Sequence, residues 1–185
     1  RELSNLDFIS RVLTIASNPE VPLIERFRYV CICCSLLDEF FEIRFSSVLE
    51  EAKNTKEPKT IQKKIALIQK QSKVIEKSIQ EELFGKIIPE LRRNDITLFI
   101  DNDWPPKYSK TIKRIFTHQI KPYLNLIVLN VNRPFPKMIN KSTGYFVELQ
   151  EKDSKETRYA IVQIPRQFQR VYELPKQTTG AKKYG

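Results

Sequence analysis

Apolar residues recur every three or four positions through the first half of the chain, and this spacing is typical of helices with one buried face. The pattern predicts a helix over residues 5–17, a second over 22–52 and, after a turn at 54–58, a third along positions 61–83. The predicted inward stripe of the second helix is Leu23, Phe27, Val30, Cys34, Leu37 and Phe41, and that of the third is Ile61, Ile65, Ile68, Ser72, Ile75, Ile79 and Leu83. Consecutive helices that share an apolar seam pack as an antiparallel bundle when short turns join them. The chain is therefore predicted to begin with a helical bundle.

The expected ends of these helices follow from local chemistry. Ser4 and Asp7 have the spacing of a capping box at the start of the first helix. Pro19 should end that helix, because proline disfavours helical angles in the residue before it. Gly85 and Pro89 should bend or end the third helix, since proline lacks the hydrogen-bond donor and clashes with the preceding turn.

The hydrophobic pattern changes in the second half of the chain. After a predicted fourth helix at 107–121, the period falls towards two, which is typical of strands. The predicted strands are residues 127–131, 145–149 and 159–164, with the polar residues 152–156 as a hairpin turn between the last two. Residues 96–100 are compatible with either a strand or an extended connector.

These elements define the expected fold class. It is α+β and mostly α, with an N-terminal antiparallel helical bundle over residues 1–100 and part of an α/β domain over 101–185. Three or four strands and one helix make a thin core for the second domain, so that domain is expected to be truncated.

The net charge of +10 is unevenly distributed along the chain. Residues 1–58 hold seven Lys and Arg against ten Asp and Glu, a net of −3, whereas residues 59–185 hold 25 against 12, a net of +13. Such an excess favours a polyanionic partner such as nucleic acid, nucleotide or polyphosphate. A solvated lysine-rich surface would have the same composition.

The residue types exclude several kinds of catalytic site. Four isolated glycines rule out a glycine-rich phosphate loop, and a single histidine, His118, leaves little room for a Ser-His-Asp triad or a histidine metal cluster. Cys31, Cys33 and Cys34 lie in one apolar stretch, which predicts buried thiols in a reducing compartment rather than disulfides or a metal site. No catalytic residue and no metal ligand is therefore predicted in this chain. No apolar run reaches the roughly 18 residues of a membrane span.

Several segments, in order along the chain, resemble those of bacterial polyphosphate kinases. Three of them lie in the first 45 residues. Residues 2–8 (ELSNLDF) resemble the family's E-L-S-W-L-x-F opening, and residues 21–28 (VPLIERFR) resemble its P-L-x-E-R-x-(K/R) segment. Residues 37–44 (LDEFFEIR) resemble its N-L-D-E-F-(F/Y)-x-(V/I)-R helix. Four later segments look like landmarks of the family's second, or head, domain: residues 120–124, 133–136, 160–165 and 170–175.

This resemblance implies a phosphotransferase that reversibly moves the terminal phosphate of ATP onto inorganic polyphosphate. The phosphorylated histidine and the Mg²⁺ ligands are expected in the remaining catalytic domains of the same protein, so the isolated segment should be inactive. The implied partners are ATP or ADP, polyphosphate and, through the head domain, further copies of the chain, with no specific nucleic acid. The implied location is cytoplasmic, with membrane association left open. The alternative is a non-catalytic basic module that binds polyphosphate or nucleic acid.

The resemblance also implies a nucleotide-contact position on the second helix. The family places an adenine-contacting Asn immediately before its Leu-Asp-Glu triplet, and that position is Leu36 here. A leucine can pack on a purine ring but cannot hydrogen-bond its edge, whereas the neighbouring Ser35 offers a hydroxyl. One lost hydrogen bond costs about 0.5–1.5 kcal/mol net, so nucleotide binding with looser base selectivity is expected. Asn5 also replaces an aromatic residue of the family's opening segment.

Overall fold

The computed structural model describes residues 1–100, 102–130, 132–150 and 157–175. It divides the chain into two compact units, Arg1–Phe99 and Ile100–Gly185. The first unit is helical, and the second contains short helical segments and a small sheet. The α+β, mostly α fold class predicted from the sequence is thus confirmed.

The first unit consists of three long helical rods. Helix α1 is the first rod, α2 continues through a π-helical segment into α3, and α4 continues through a second π-helical segment into α5. Their bounds are α1 Glu2–Ala16, α2 Leu23–Glu39, π-helix Phe40–Phe45, α3 Ser46–Asn54, α4 Pro58–Glu82, π-helix Leu83–Ile87 and α5 Ile88–Arg93. The three predicted helices are confirmed.

The predicted capping box of the first helix is wrong, whereas the interruption predicted near Gly85 takes the form of a π-helical turn. Helix α1 begins at Glu2 without a side-chain cap, so Ser4 lies inside the helix and does not form a capping box. Regular α-helix in the third rod ends at Glu82, and the rod then continues through the π-helix Leu83–Ile87 and past Pro89 to Arg93. Pro89 lies in the first turn of α5, directly after the π-helical turn, where a missing N–H donor is tolerated.

The buried face of α4 matches the predicted stripe. Its core positions are Ile61, Ile65, Ile68, Ser72, Ile75 and Ile79. The five isoleucines join a single cluster with the inward faces of α1, α2 and α3. Burial of one such side chain contributes about 1.5–3 kcal/mol, so this cluster holds the bundle together.

The buried face of α2 is rotated relative to the predicted one. The sequence stripe included Phe27, Cys34 and Phe41, but the buried positions are Arg26, Val30, Cys33, Leu37 and Phe40. Phe27 and Phe41 are half-buried beside the core and Cys34 is exposed. Both sets have helical spacing, and periodicity alone does not show which of two adjacent rows faces inward.

The second unit combines short helical turns with three antiparallel strands. Its helical part contains the 3₁₀ turns Pro106–Tyr108 and Lys121–Tyr123, α6 Ser109–Ile115 and the π-helix Phe116–Ile120. The strands are β1 Asn125–Val128, β2 Thr143–Gln150 and β3 Thr157–Ile164, in the spatial order β1-β3-β2.

The strand pairing agrees with the sequence prediction. Strands β2 and β3 are antiparallel, with Phe146 and Val147 opposite Ile161 and Ala160, as a hairpin requires. The predicted turn at 152–156 lies outside the described residues. Residues 96–100 form no strand, so the connector is the correct alternative.

Candidate functional site

An open groove of about 250 Å³ runs along one face of α2. It is lined by Arg28, Cys31, Ile32, Ser35, Leu36 and Glu39. These residues recur every three or four positions and therefore share one side of the helix. Ligand pockets that enclose a small molecule measure about 300–1,000 Å³. This groove is smaller and open, so it could contact one ring or group of a ligand rather than enclose it.

Both sequence-predicted site residues line this groove. Ser35 is exposed, and its hydroxyl can donate or accept a hydrogen bond. Leu36 is half-buried and packs against the bundle core, which leaves only part of its side chain for a ligand. The groove thus offers an apolar floor at Leu36 beside a polar group at Ser35.

Sequence reasoning missed the charged ends of the groove. Arg28 lies at one end, exposed, with its guanidinium 3.8 Å from the Glu25 carboxylate. Glu39 lies three turns further along, about 16 Å away at the helical rise of 1.5 Å per residue. The spacing of Arg28, Ser35 and Glu39 on one predicted helix was the signal that could have brought them together.

A buried arginine fixes the start of the helix that carries the groove. The Arg26 Nε donates a hydrogen bond to the Ala16 carbonyl oxygen over 2.9 Å. Its Nη1 lies 2.9 Å from the Glu90 Oε2, and its Nη2 lies 3.4 Å from the Glu82 Oε1. Arg26 thereby joins the end of α1 and the α4–α5 rod to the first turn of α2.

Glu82 is the acidic centre of this cluster. Besides Arg26, it accepts hydrogen bonds from the Lys86 Nζ over 2.6 Å and the Ser17 Oγ over 2.8 Å. Burial by itself raises the pKa of Glu82, but the hydrogen bonds from Lys86, Ser17 and Arg26 outweigh it and lower the pKa below its ordinary value. Glu82 is therefore ionised at neutral pH.

The three cysteines do not share one environment, contrary to the prediction that all are buried. Cys33 is buried, and burial together with the neighbouring Cys34 raises its thiol pKa to about 11. Cys31 and Cys34 are exposed. The reason is the rotated buried face of α2, which turns only Cys33 into the core.

The described parts of the chain offer neither a metal-binding cluster nor a membrane-spanning helix. Within residues 1–100, 102–130, 132–150 and 157–175, no group of three or more His, Cys, Asp or Glu side chains could hold a metal ion. None of the helices in the same ranges is both long and apolar enough to cross a membrane. His118 is exposed in the π-helix of the second unit.

Fold and groove define the class of the chain as a helical bundle, with a groove on its second helix, followed by a basic α+β unit. Two family models match these parts in order: the polyphosphate kinase N-terminal domain over residues 1–99 and the polyphosphate kinase middle domain over residues 107–184. The chain belongs to the polyphosphate kinase family. The resemblance seen in the sequence is thus confirmed.

Individual relatives agree with this assignment. The polyphosphate kinase of Burkholderia multivorans is 32% identical over 187 residues, and that of Neisseria gonorrhoeae is 37% identical over 191 residues. Each alignment covers 97% of this chain and 27% of the relative, so the chain spans about a quarter of the length of these curated relatives.

A solved structure shares the fold. The crystal structure of the polyphosphate kinase from Porphyromonas gingivalis superposes with a TM-score of 0.72 and 21% sequence identity. The superposition covers 97% of this chain and 27% of that structure. At this identity the likeness shows the fold alone.

Proposed function

We propose that the chain acts as the N-terminal segment of a polyphosphate kinase that reversibly transfers the terminal phosphate of ATP onto inorganic polyphosphate. The observation that carries the proposal is the ordered match of both units, over residues 1–99 and 107–184, to the two domains of that family. The net charge of +13 over residues 59–185 supports a polyanionic substrate.

Within this function, the groove on α2 contacts the base of ATP or ADP. Leu36 packs on the purine ring, and the Ser35 hydroxyl hydrogen-bonds its edge. The groove volume of about 250 Å³ suits one ring system rather than a whole nucleotide. The triphosphate would then extend to other domains of the parent protein, which would also supply the phosphorylated histidine.

The Mg²⁺ expected for such an enzyme does not fit the described residues, which offer no cluster of ligands for it. No step of the proposed mechanism therefore passes through a metal held by this segment. We place the metal ligands in the remaining catalytic domains and the oligomer contacts in the second unit. We propose that the parent protein is cytoplasmic.

The kinase assignment is tested on the parent protein and on the 185-residue chain in parallel. The parent should form ATP from ADP and polyphosphate, and the isolated chain should form none. Turnover by the isolated chain would contradict the assignment of catalysis to other domains. An inactive parent that bound polyphosphate and single-stranded DNA equally would favour the alternative, a non-catalytic basic module.

The base contact is tested by Leu36→Asn in the parent enzyme. An added hydrogen bond to the adenine edge is worth about 0.5–1.5 kcal/mol, so the preference for ATP over GTP in kcat/KM should rise about 2- to 12-fold. Leu67→Asn makes the same chemical change at an exposed position of α4 and should leave the preference unchanged. An equal preference in the wild type and Leu36→Asn would remove residue 36 from the base site.

A further inference from the structure

The outer face of α4 carries a line of lysines. Its members, here called the lysine stripe, are all exposed: Lys59, Lys63, Lys70, Lys73 and Lys77. At 100° per residue their directions fall within an arc of about 80°, opposite the buried isoleucines. At 1.5 Å per residue the stripe is about 27 Å long.

Most of the stripe is free of ion pairs. Lys59, Lys63, Lys70 and Lys73 have no carboxylate of a described residue within 4.0 Å, and only Lys77 has one, the Glu81 carboxylate at 3.5 Å. Three other lysines of the bundle are ion-paired: Lys53, Lys64 and Lys86. Lys64, for example, lies 3.3 Å from Glu2 and 3.7 Å from Glu51.

This arrangement differs from that of an ordinary solvated helix face. Such faces place opposite charges three or four residues apart, and their attraction stabilises the helix. Lys70, Lys73 and Lys77 instead follow one another at these spacings, so like charges repel. Glu76 points about 100° away from the centre of the stripe. A bound polyanion would relieve this repulsion.

The side chains of α4 also indicate which polyanion suits the stripe. No aromatic residue and no arginine lies between Lys59 and Lys77. The stripe therefore lacks the platforms on which nucleic-acid bases stack and the planar forks that bind phosphates in bidentate fashion. A row of ammonium groups along one helix face suits a linear chain of phosphates without bases.

We propose that the lysine stripe of α4 binds inorganic polyphosphate lengthwise. The identity of the polyanion rests on the proposed function, whereas the existence of the binding surface rests on the geometry and the unpaired charges of α4. A chain long enough to follow the stripe contacts several lysines at once, so long polyphosphate binds more tightly than tripolyphosphate.

The test replaces Lys59, Lys63, Lys70 and Lys73 by Gln in the parent protein, since Gln has a helix propensity close to that of Lys. Titration with long-chain polyphosphate at several salt concentrations gives affinity and salt dependence. At low salt the affinity of the variant for long-chain polyphosphate should fall by about tenfold or more. Its slope of log K against log salt should be shallower by about 3, the value for four lost phosphate contacts on a flexible chain.

Two control variants separate the effect of the lysine stripe from the effects of total charge and of altered folding. The first control replaces four other basic residues of the first unit by Gln, namely Lys53, Lys56, Arg92 and Arg93. It removes the same charge outside the stripe and should keep most of the affinity for polyphosphate. Replacement of the four stripe lysines by Arg keeps the charge and should restore binding. Circular dichroism of each variant checks that α4 remains helical.

Three results would overturn the inference. They are an unchanged affinity and slope in the stripe variant, an equal loss in the charge-matched control, and equally tight binding of single-stranded DNA with the same number of phosphates. A kinase assay on the same proteins separates the two proposals. If the parent is active and the stripe variant binds polyphosphate as the wild type does, only the lysine-stripe proposal is refuted. If the parent is inactive and its polyphosphate binding depends on the stripe, only the kinase assignment is refuted.

Discussion

Arg26 lies where three parts of the bundle meet, with 6% of its surface exposed, and its partner Glu82 is 3% exposed. Its three hydrogen bonds reach the end of α1 and both sides of the π-helix Leu83–Ile87. A buried charge is tolerated only while its partner remains, because an unpaired buried charge is poorly solvated. The pair therefore fixes how α2, and with it the groove, is placed in the bundle.

Arg26→Met should lower the free energy of unfolding by about 3–5 kcal/mol, because it leaves the Glu82 carboxylate buried without its arginine. Urea unfolding followed by circular dichroism measures this loss. Arg28→Met serves as the control, since its exposed pair with Glu25 contributes about 0–1 kcal/mol. Similar losses in both variants would show that burial of Arg26 does not matter to stability.

Glu82 should make stability depend on pH at the acidic end. Its pKa is lower in the folded state than the ordinary value of 4.5, so the folded state binds fewer protons than the unfolded state in that range. Its contribution is complete above the ordinary value and is lost as the pH falls through the lowered pKa.

The Glu82→Gln variant should be less stable than the wild type at neutral pH and should lose less stability between about pH 6 and about pH 3. Urea unfolding across this range gives both quantities. Glu81→Gln, which changes an exposed carboxylate on the same helix, should follow the wild-type pH profile. Parallel profiles for wild type and Glu82→Gln would refute the role of Glu82.

At the scale of the elements, π-helical segments join α2 to α3 and α4 to α5 and let each pair of helices continue as one rod. The second segment contains Gly85, whose φ is not positive and beside which an added Cβ would have no heavy atom within 4 Å. Glycine here therefore serves neither a special backbone angle nor a close approach. It only increases the conformational freedom of the unfolded chain.

Gly85→Ala should raise the free energy of unfolding by about 0.4–1 kcal/mol, because alanine restricts the unfolded chain and meets no obstacle in the folded one. Chemical denaturation measures the gain. Gly144→Ala is the contrasting variant: its Cβ would lie 2.9 Å from the Met138 Cε, so that side chain must shift and no such gain is expected. Destabilisation by Gly85→Ala would indicate that the π-helical turn needs glycine.

At the scale of the whole molecule, apolar burial is unequal between the two units. The large core cluster, together with the half-buried side chains packed against it, lies entirely within residues 1–99. In the described part of the second unit, the buried apolar side chains are Ala160 and Ile161, both on β3. The bundle thus contains within itself the burial that stabilises it.

Residues 1–99 expressed alone should therefore fold, with a helical circular dichroism spectrum and one cooperative urea transition. Ile68→Ala in this fragment should lower its free energy of unfolding by about 2–5 kcal/mol, since Ile68 is fully buried. A broad, non-cooperative transition of the wild-type fragment would show that the bundle requires the rest of the chain.

The kind and order of the elements follow from the hydrophobic pattern along the chain. Burial on one side of a helix or strand imposes a period that can be counted along the chain, which is why the face of α4 and the pairing of β2 with β3 were predicted. The ordered motifs likewise indicated the family. Ser35 and Leu36 were assigned by resemblance alone, and their role in binding stays a prediction.

Which row of α2 faces inward, and which polar groups are buried there, depends on how the rods pack against one another. Arg26 contacts Glu82 and Glu90 across 56 and 64 residues of sequence, and Ser17 contacts Glu82 across 65. No local spacing records such contacts, because they arise when separate rods pack together. The same packing left the groove residues Arg28 and Glu39, and the lysine stripe of α4, on exposed faces of their helices.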